Sequence, residues 1–434
     1  MNSTENPSFS VSISPATKLY HADLSTKIEN TFQNIMVETR LSAYPDQSPI
    51  PLVGSAEHVL MVAFYEGDNW ETSYAQIGIL ADAFTASDDI AGTNTNKLGI
   101  LFIDAEGRHD RREEKVVTDA MTRAIVKSQG VPIRALARNM KANGVEYAAT
   151  INIHSHLIHE IIRNAGLRHI PLATEPVLID RLAEMRYFTD DVLRELVLGT
   201  TDVGGLKEAM TAKKYIDAKY NLDIPVAIIK KQRIPQGNGI STTEQTFAWG
   251  DVINKRVLLL DDRSDSADSI KKAVDIYFEQ GAKEIVIYIT HPVFAKSEYY
   301  DTIRSLLRYK DIKYIFTSNT LPMEEKRTSR KAGVAVPYVW ENGLTGKRHK
   351  KQMEILDVHP FIISAIRTVS ESGSIDEAID IFDKRHELLE MRNPLELFAE
   401  LTHGELPKNK IIYVYDHGEI RLIPPPPLSS SSST

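Results

Sequence analysis

Residues 257–260, Val-Leu-Leu-Leu, run straight into two adjacent carboxylates, Asp261 and Asp262. A polar stretch follows, and from Ser269 to about Gln280 the pattern turns helical. An apolar run this short, bounded by polar residues, predicts a buried strand. The whole predicts a strand–loop–helix unit with acids at the strand's carboxyl end, where ligands sit in open α/β sheets. A helix N-terminus offers backbone N–H groups to a phosphate. Paired acids beside such a cradle suit a ribose: the carboxylates accept from sugar hydroxyls or hold Mg²⁺, and the loop holds the 5′-phosphate.

The same rhythm runs along most of the chain. Residues 58–64, 98–103 (ending in Asp104) and 147–153 read as strands, and 72–84 and Pro132–Ala142 as helices, the latter opened by proline. After a proline-containing stretch at 171–176 the rhythm restarts. Strand 196–198, helix 205–219 and strand 224–229 lead to a polar loop at 230–247. The signature unit comes next, then strand 285–289, a helix near 297–307 and strand 314–317. Such a βαβ succession predicts an α/β fold with two mainly parallel sheets flanked by helices. Residues 323–354 are rich in Lys and Arg and read as an insertion or arm. Beyond them we expect an amphipathic helix at 355–369, a charged helix at 381–391 and a hairpin at 411–423. The expected divisions are a disordered 1–16, domains at 17–168 and 169–345, a returning helix and extension at 346–423, and a disordered tail at 424–434.

At 434 residues the chain is long enough for two or three domains. A net charge of −8 argues against broad nucleic-acid or anionic-membrane binding, while leaving room for a local basic phosphate site. The absence of cysteine removes disulfide and thiolate chemistry. No apolar run reaches membrane-spanning length, and the first residues show no secretory pattern. A cytoplasmic enzyme is the expectation.

Three further segments carry polar side chains at strand ends. Gly107-Arg108-His109-Asp110-Arg111-Arg112 offers guanidinium forks that match phosphate oxygens; a solvated loop is its bland reading. Ile151-Asn152-Ile153-His154-Ser155-His156 places a histidine just past a buried strand, either structural or a ligand for Mg²⁺ or phosphate. Asp202-Val203-Gly204-Gly205 opens a helix after an apolar strand and suits metal and sugar hydroxyls, though it is also a common turn. In the polar loop, Lys231 and Arg233 fit a lid closing over a transferring phosphoryl group.

Taken in order, these segments resemble the ribose-phosphate diphosphokinases (phosphoribosyl pyrophosphate synthetases). The signature resembles the family's Val-Asp-Asp-x-x-Asp-Thr-Gly-Gly-Thr, the Arg108 segment its Tyr-x-Arg-Gln-Asp-Arg-Lys, and the His154 segment its Asp-Leu-His-Ala. Asp202–Gly205 matches Pro-Asp-x-Gly-Gly, and Lys231 with Arg233 matches Lys-x-Arg. Thr290-His291-Pro292-Val293-Phe294 and Thr317-Ser318-Asn319-Thr320-Leu321-Pro322 match two further family runs. The resemblance implies two phosphoribosyltransferase-like domains and a homo-oligomer. It implies Mg²⁺-dependent transfer of diphosphate from ATP to the 1-hydroxyl of ribose 5-phosphate. By the same resemblance Lys231 and Arg233 would be catalytic. Asp261, Asp262, Asp265, Ser266 and Ser269 would bind the sugar phosphate; Arg108, His109, Asp110 and Asp46 would bind ATP; His154 and Asp202 would hold the metal.

Two departures mark the chain as divergent. The family's Phe-Ser-Asp-Gly-Glu loop has only Tyr44-Pro45-Asp46-Gln47 as its counterpart, and Thr-Gly-Gly-Thr becomes Ser266-Ala267-Asp268-Ser269. Glycines allow a phosphate close to the backbone, and Asp268 in the cradle would repel a dianion. Two alternatives follow, a larger acceptor such as ADP-ribose or a non-catalytic regulatory or nucleotide-binding relative, and the signature loop alone also permits a phosphoribosyltransferase that consumes phosphoribosyl pyrophosphate.

Overall fold

The computed structural model describes residues 9–401, except 38, 44, 46–48, 54–55, 65–69, 86–96, 105–115, 119–124, 129–131, 236–240, 265–266, 294–305, 307–308, 322–338, 342–347 and 351–352, together with a hairpin at 412–416 and 419–423. Two sheets form its frame. The first holds β1 (Ser10–Ile13), β2 (His58–Ala63), β3 (Lys97–Phe102), β4 (Val145–Ile151) and β5 (Arg168–Leu172), side by side in that order and all parallel. The second holds β6 (Leu196–Thr200), β7 (Val226–Pro235), β8 (Ser241–Trp249), β9 (Arg256–Ser264), β10 (Glu284–Pro292), β11 (Ile312–Ser318) and β12 (Met353–Leu356). Its order is β8-β7-β6-β9-β10-β11-β12, parallel throughout except for the β7–β8 pair.

Alternate residues of each strand serve opposite layers, which is why these strands read as unbroken apolar runs. In β9, Val257 and Leu259 pack with Ile270, Ala273 and Val274 of the helix Asp268–Glu279. Leu258 and Leu260 pack with Leu206, Ala209 and Ile216 of the helix Leu206–Tyr220. In the first sheet, Val59, Met61 and Ile100 face Leu80, Phe84, Leu136 and Ile158, while Leu60, Val62 and Leu101 face Ile28, Ile362 and Ile366. Those last two belong to the helix His359–Glu371, which leaves the second sheet after β12 and covers the first. One core therefore depends on chain from both halves. No helix among the described residues is long and apolar enough to cross a membrane.

Several expectations change. Residues 10–13 form a fully buried strand, so disorder does not extend through residue 16; Ser10 and Ser12 masked the pattern. The polar loop expected at 230–247 is an antiparallel pair, with the ladder running from Ile228–Trp249 out to Pro235–Ser241. The second sheet takes its last strand from residues 353–356, beyond the expected limit at 345. Helix therefore starts at His359, next to Pro360, rather than at 355. The charged helix runs Ile375–Lys384. The chain after it is extended, and Leu388 bridges antiparallel to Leu172 at the open edge of the first sheet. Most of the helix expected near 297–307 lies outside the described residues.

The carboxyl ends of β6 and β7 are pinned by Tyr277. Its hydroxyl accepts from Thr200 N (3.0 Å) and shares its proton between the carbonyls of Thr200 (2.9 Å) and Ala227 (3.0 Å). Gly199 leaves room for the ring, since a Cβ there would lie 2.5 Å from Val257 Cγ1 and 3.2 Å from the Tyr277 ring. Tyr277→Phe keeps the ring volume and strips the buried Thr200 N–H of its acceptor. Urea denaturation should show a loss of about 1–3 kcal/mol, the cost of an unsatisfied buried group.

Candidate active site

The carboxyl ends of β4, β6 and β9 bring chemistry together at the junction of the two sheets. After β4 the chain turns through Asn152, a non-glycine residue at φ 41°. Its side chain holds the turn: Oδ1 accepts from Thr174 N (2.9 Å) and Thr174 Oγ1 (3.0 Å), and Nδ2 donates to Glu175 Oε1 (2.7 Å). Two residues on, His154 reaches the other sheet, with Nδ1 donating to Asp262 Oδ2 at 3.1 Å. The His154 side chain is 51% exposed and that of Asp262 only 7%.

Parity along β9 separates the two signature acids. Asp262 shares the Leu258–Leu260 face and meets the helix Leu206–Tyr220, where Lys207 Nζ donates to its Oδ2 at 2.8 Å. Asp261 lies on the opposite side and is partly exposed. Their titration differs accordingly. Burial raises the Asp262 pKa, but the Lys207 ammonium and then His154 outweigh it and hold the carboxyl below the ordinary range. Asp261 is pushed well above that range by burial, then by the nearby charges of Asp262, Asp202 and Glu208. Lys207 is itself held charged: burial opposes, yet Asp262 and Glu208 prevail. It is 2% exposed and also donates to Glu208 Oε1 in a short contact.

Asp202 caps the short turn Val203–Gly205, its Oδ1 accepting from Gly204 N at 2.9 Å. Below lie two carboxyls fully shielded from solvent, Glu175 and Glu208. Burial, then Glu208, pushes Glu175 up to about 8. Burial pushes Glu208 up to about 7 against the pull of Lys207.

After β9, Ala267 takes the left-handed conformation (φ 60°, ψ 10°) at the position matching the first glycine of the resembled motif, and its side chain is buried. This costs about 1–2 kcal/mol for a residue with a Cβ. Asp268, at the second, is the first helical residue and is exposed, as is Ser269. Lys231 and Arg233 lie on β7 opposite Thr246 and Thr243, with the register shifting between them. Asp265, Ser266, Arg108, His109, Asp110 and Asp46 lie outside the described residues.

The structure thus brings His154 and Asp262 into contact and places Asp202 and Asp261 close enough to feel each other's charge. Sequence reasoning missed Lys207, Glu208, Glu175 and Asn152. A signal existed for the first: Lys207 interrupts the apolar face formed by Leu206, Ala209 and Met210. Among the described residues no group of three or more His, Cys, Asp or Glu side chains is arranged for a metal. One imidazole and one carboxylate instead fit a Mg²⁺ that arrives with phosphates and waters, the ordinary habit of that ion. A cavity of about 930 Å³ lies elsewhere, between the helix Glu175–Glu184, β12 and the helix His359–Glu371; none of the candidate site residues line it.

The two-sheet architecture and its converging strand ends define an α/β protein of the phosphoribosyltransferase-like kind. The crystal structure of phosphoribosylpyrophosphate synthetase from Mycobacterium smegmatis superposes with a TM-score of 0.57 at 16% identity, over 85% of this chain and 100% of that one. No protein-family model matches the chain. Among curated proteins, ribose-phosphate pyrophosphokinase 4 of Saccharomyces cerevisiae is 28% identical over 197 residues, 45% of this chain and 52% of that protein. The ribose-phosphate pyrophosphokinase of Gloeobacter violaceus is 28% identical over 52% of this chain and 63% of its own length. That of Prochlorococcus marinus is 25% identical over 68% and 77%. The matched stretches cover less than two thirds of the length of the first of these relatives. The chain is thus similar to ribose-phosphate pyrophosphokinases, as a divergent relative, in sequence over about half of its length and in fold.

Glu175 makes the site's stability depend on pH. A carboxyl with its folded pKa raised from 4.5 to about 8 keeps its proton in the native state after the unfolded chain has lost it. Its stabilising contribution is full below about pH 4.5 and fades as pH climbs to about 8. Glu175→Gln, which mimics the protonated form, should flatten that limb. By thermal unfolding it should exceed the parent by at least about 1 kcal/mol near pH 9, given about 1.4 kcal/mol per pKa unit, and differ little at pH 4.

Proposed function

We propose that the protein transfers the diphosphate of ATP to the 1-hydroxyl of ribose 5-phosphate, giving phosphoribosyl pyrophosphate and AMP. The observation that carries this reading is the meeting of His154 from the first sheet with the acids of β9 from the second, beside the Asp202 turn. A nucleotide held by one domain and a sugar held by the other would meet at that junction. The oxygen of the sugar 1-hydroxyl bonds to the β-phosphorus as its proton passes to solvent, the bond from that phosphorus to the α–β bridging oxygen breaks, and AMP leaves with that oxygen.

Each residue has a part in this scheme. Arg108, His109, Asp110 and Asp46 bind ATP. His154 and Asp202, with the nucleotide's own phosphates, would hold Mg²⁺, which supplies charge neutralisation on the triphosphate. Asp261 accepts hydrogen bonds from the ribose hydroxyls, and Asp262 fixes the geometry beside it. Asp265, Ser266 and Ser269 receive the 5′-phosphate at the start of the helix Asp268–Glu279. Lys231 and Arg233 stabilise charge on the transferring group.

Ribose 5-phosphate is preferred as acceptor over a larger ester. The case for ADP-ribose required Asp268 inside the phosphate cradle, and its side chain is instead exposed at the first helical position, where an acid favours the helix. AMP formation from Mg²⁺-ATP with ribose 5-phosphate, followed by chromatography, tests the reading. AMP only with ADP-ribose would move the acceptor; AMP with neither would leave a nucleotide-binding role. Lys231→Ala should lower kcat by about 10²–10³-fold, the range for removing one stabilising donor, with a small change in the KM for ribose 5-phosphate.

A further inference from the structure

We propose that Lys207 is a positioning residue: it clamps the Asp262 carboxylate against the His154 ring across the junction of the two sheets and so fixes which imidazole nitrogen faces the nucleotide. Only the last clause rests on the function proposed above.

The chain of contacts is continuous. Glu208 Oε1 and Asp262 Oδ2 both accept from Lys207 Nζ, the latter at 2.8 Å. The same Asp262 Oδ2 accepts from His154 Nδ1 at 3.1 Å, and Oδ1 lies at 3.4 Å. Lys207 and Glu208 open the helix that follows the Asp202 turn, Asp262 ends β9, and His154 follows β4. The relay therefore ties two elements of the second sheet to one of the first.

Chemistry sets its consequence. A carboxylate held as an anion only accepts hydrogen bonds, so the His154 nitrogen facing it must carry the proton. The lone pair then sits on Nε2, the form an imidazole needs to meet a metal or a bound phosphate's hydrogen-bonding water. A carboxylate behind a ligating histidine is a common way to set tautomer and ring angle, and losing it costs 10–100-fold in affinity or activity. Here the carboxylate is itself steered. Without Lys207, Asp262 Oδ2 would lose the 2.8 Å donor that holds it in place, and the carboxylate could turn away from the ring. That would end its hold on His154.

Side-chain ¹⁵N–¹H correlation spectra of the full-length protein, with the His154 signal assigned by its loss in His154→Ala, test this without nucleotide or turnover. At about pH 9, above the ordinary imidazole pKa, the parent should show the proton on Nδ1. In Lys207→Met that signature should give way to the Nε2–H form or a mixture, and Lys207→Arg should retain it. Lys207→Gln, which still donates a hydrogen bond without the charge, is the second variant should Met fail to fold, and it should show the same change. Leu397→Ala, in the core packed on the same helix, should lower stability and leave the tautomer alone. Binding of Mn²⁺ with a non-hydrolysable ATP analogue should weaken about 10–100-fold in the Met or Gln variant and recover with Arg. An unchanged Nδ1–H signature in a folded Met or Gln variant overturns the proposal, as does its absence from the parent. Failure of the parent to make AMP overturns the proposed function alone.

Discussion

A lysine sealed between two carboxylates at the seam of the two sheets is the contact on which the site depends. Taking an ammonium and its partners out of water costs several kcal/mol per ion, and their attraction offsets this only when the geometry is complete. Lys207 has Asp262 and Glu208 both within ion-pair distance. An apolar residue in its place would avoid the penalty but strand two buried acids. The surroundings keep the local charge small: burial pushes Glu175 up to about 8, so it holds its proton at neutral pH while Asp262 does not. Lys207, a buried cation shared with Glu208, therefore also holds the acid that touches His154.

That arrangement follows from strand parity. Two adjacent acids on an extended strand must face opposite layers. Asp262 is drawn to the helix Leu206–Tyr220, and Asp261 is left on the opposite side with a raised pKa. An Asp-Asp pair at a strand end is thus two chemically different groups: one fixed and ionised, one able to exchange protons and hydrogen bonds with a ligand. The same parity sorts Val257, Leu258, Leu259 and Leu260 into two separate cores.

The β9 unit, the parallel rhythm and the four polar segments were legible in the sequence because short apolar runs and strand-end acids are local signals. Other features were not, for physical reasons. β1 hides behind two serines that face the interior, Ser12 paired there with Thr39. The β7–β8 pair is polar and lies at an edge, where side chains do not record the ladder. Leu388 joins the first sheet's edge only because residues far away in sequence place it there. The Lys207–Asp262–His154 relay combines three segments, and no single stretch announces it. Lys207 stood out only as a charge on an apolar helical face, a pattern equally compatible with a side chain reaching out to water.

The altered phosphate loop shows how far such a site can drift while its frame holds. Ala267 keeps the left-handed backbone that a glycine would adopt freely, at a cost of about 1–2 kcal/mol, so the turn's geometry is imposed by the strand before it and the helix after it. Asp268 replaces a residue whose lack of a side chain matters only if that side chain would point into the cradle. As the first residue of a 12-residue helix it is exposed, at a position where an acid favours the helix. The conformational demand falls on one position and the electrostatic demand on the direction of another. The departure from the family pattern is thus smaller in backbone conformation than in letters.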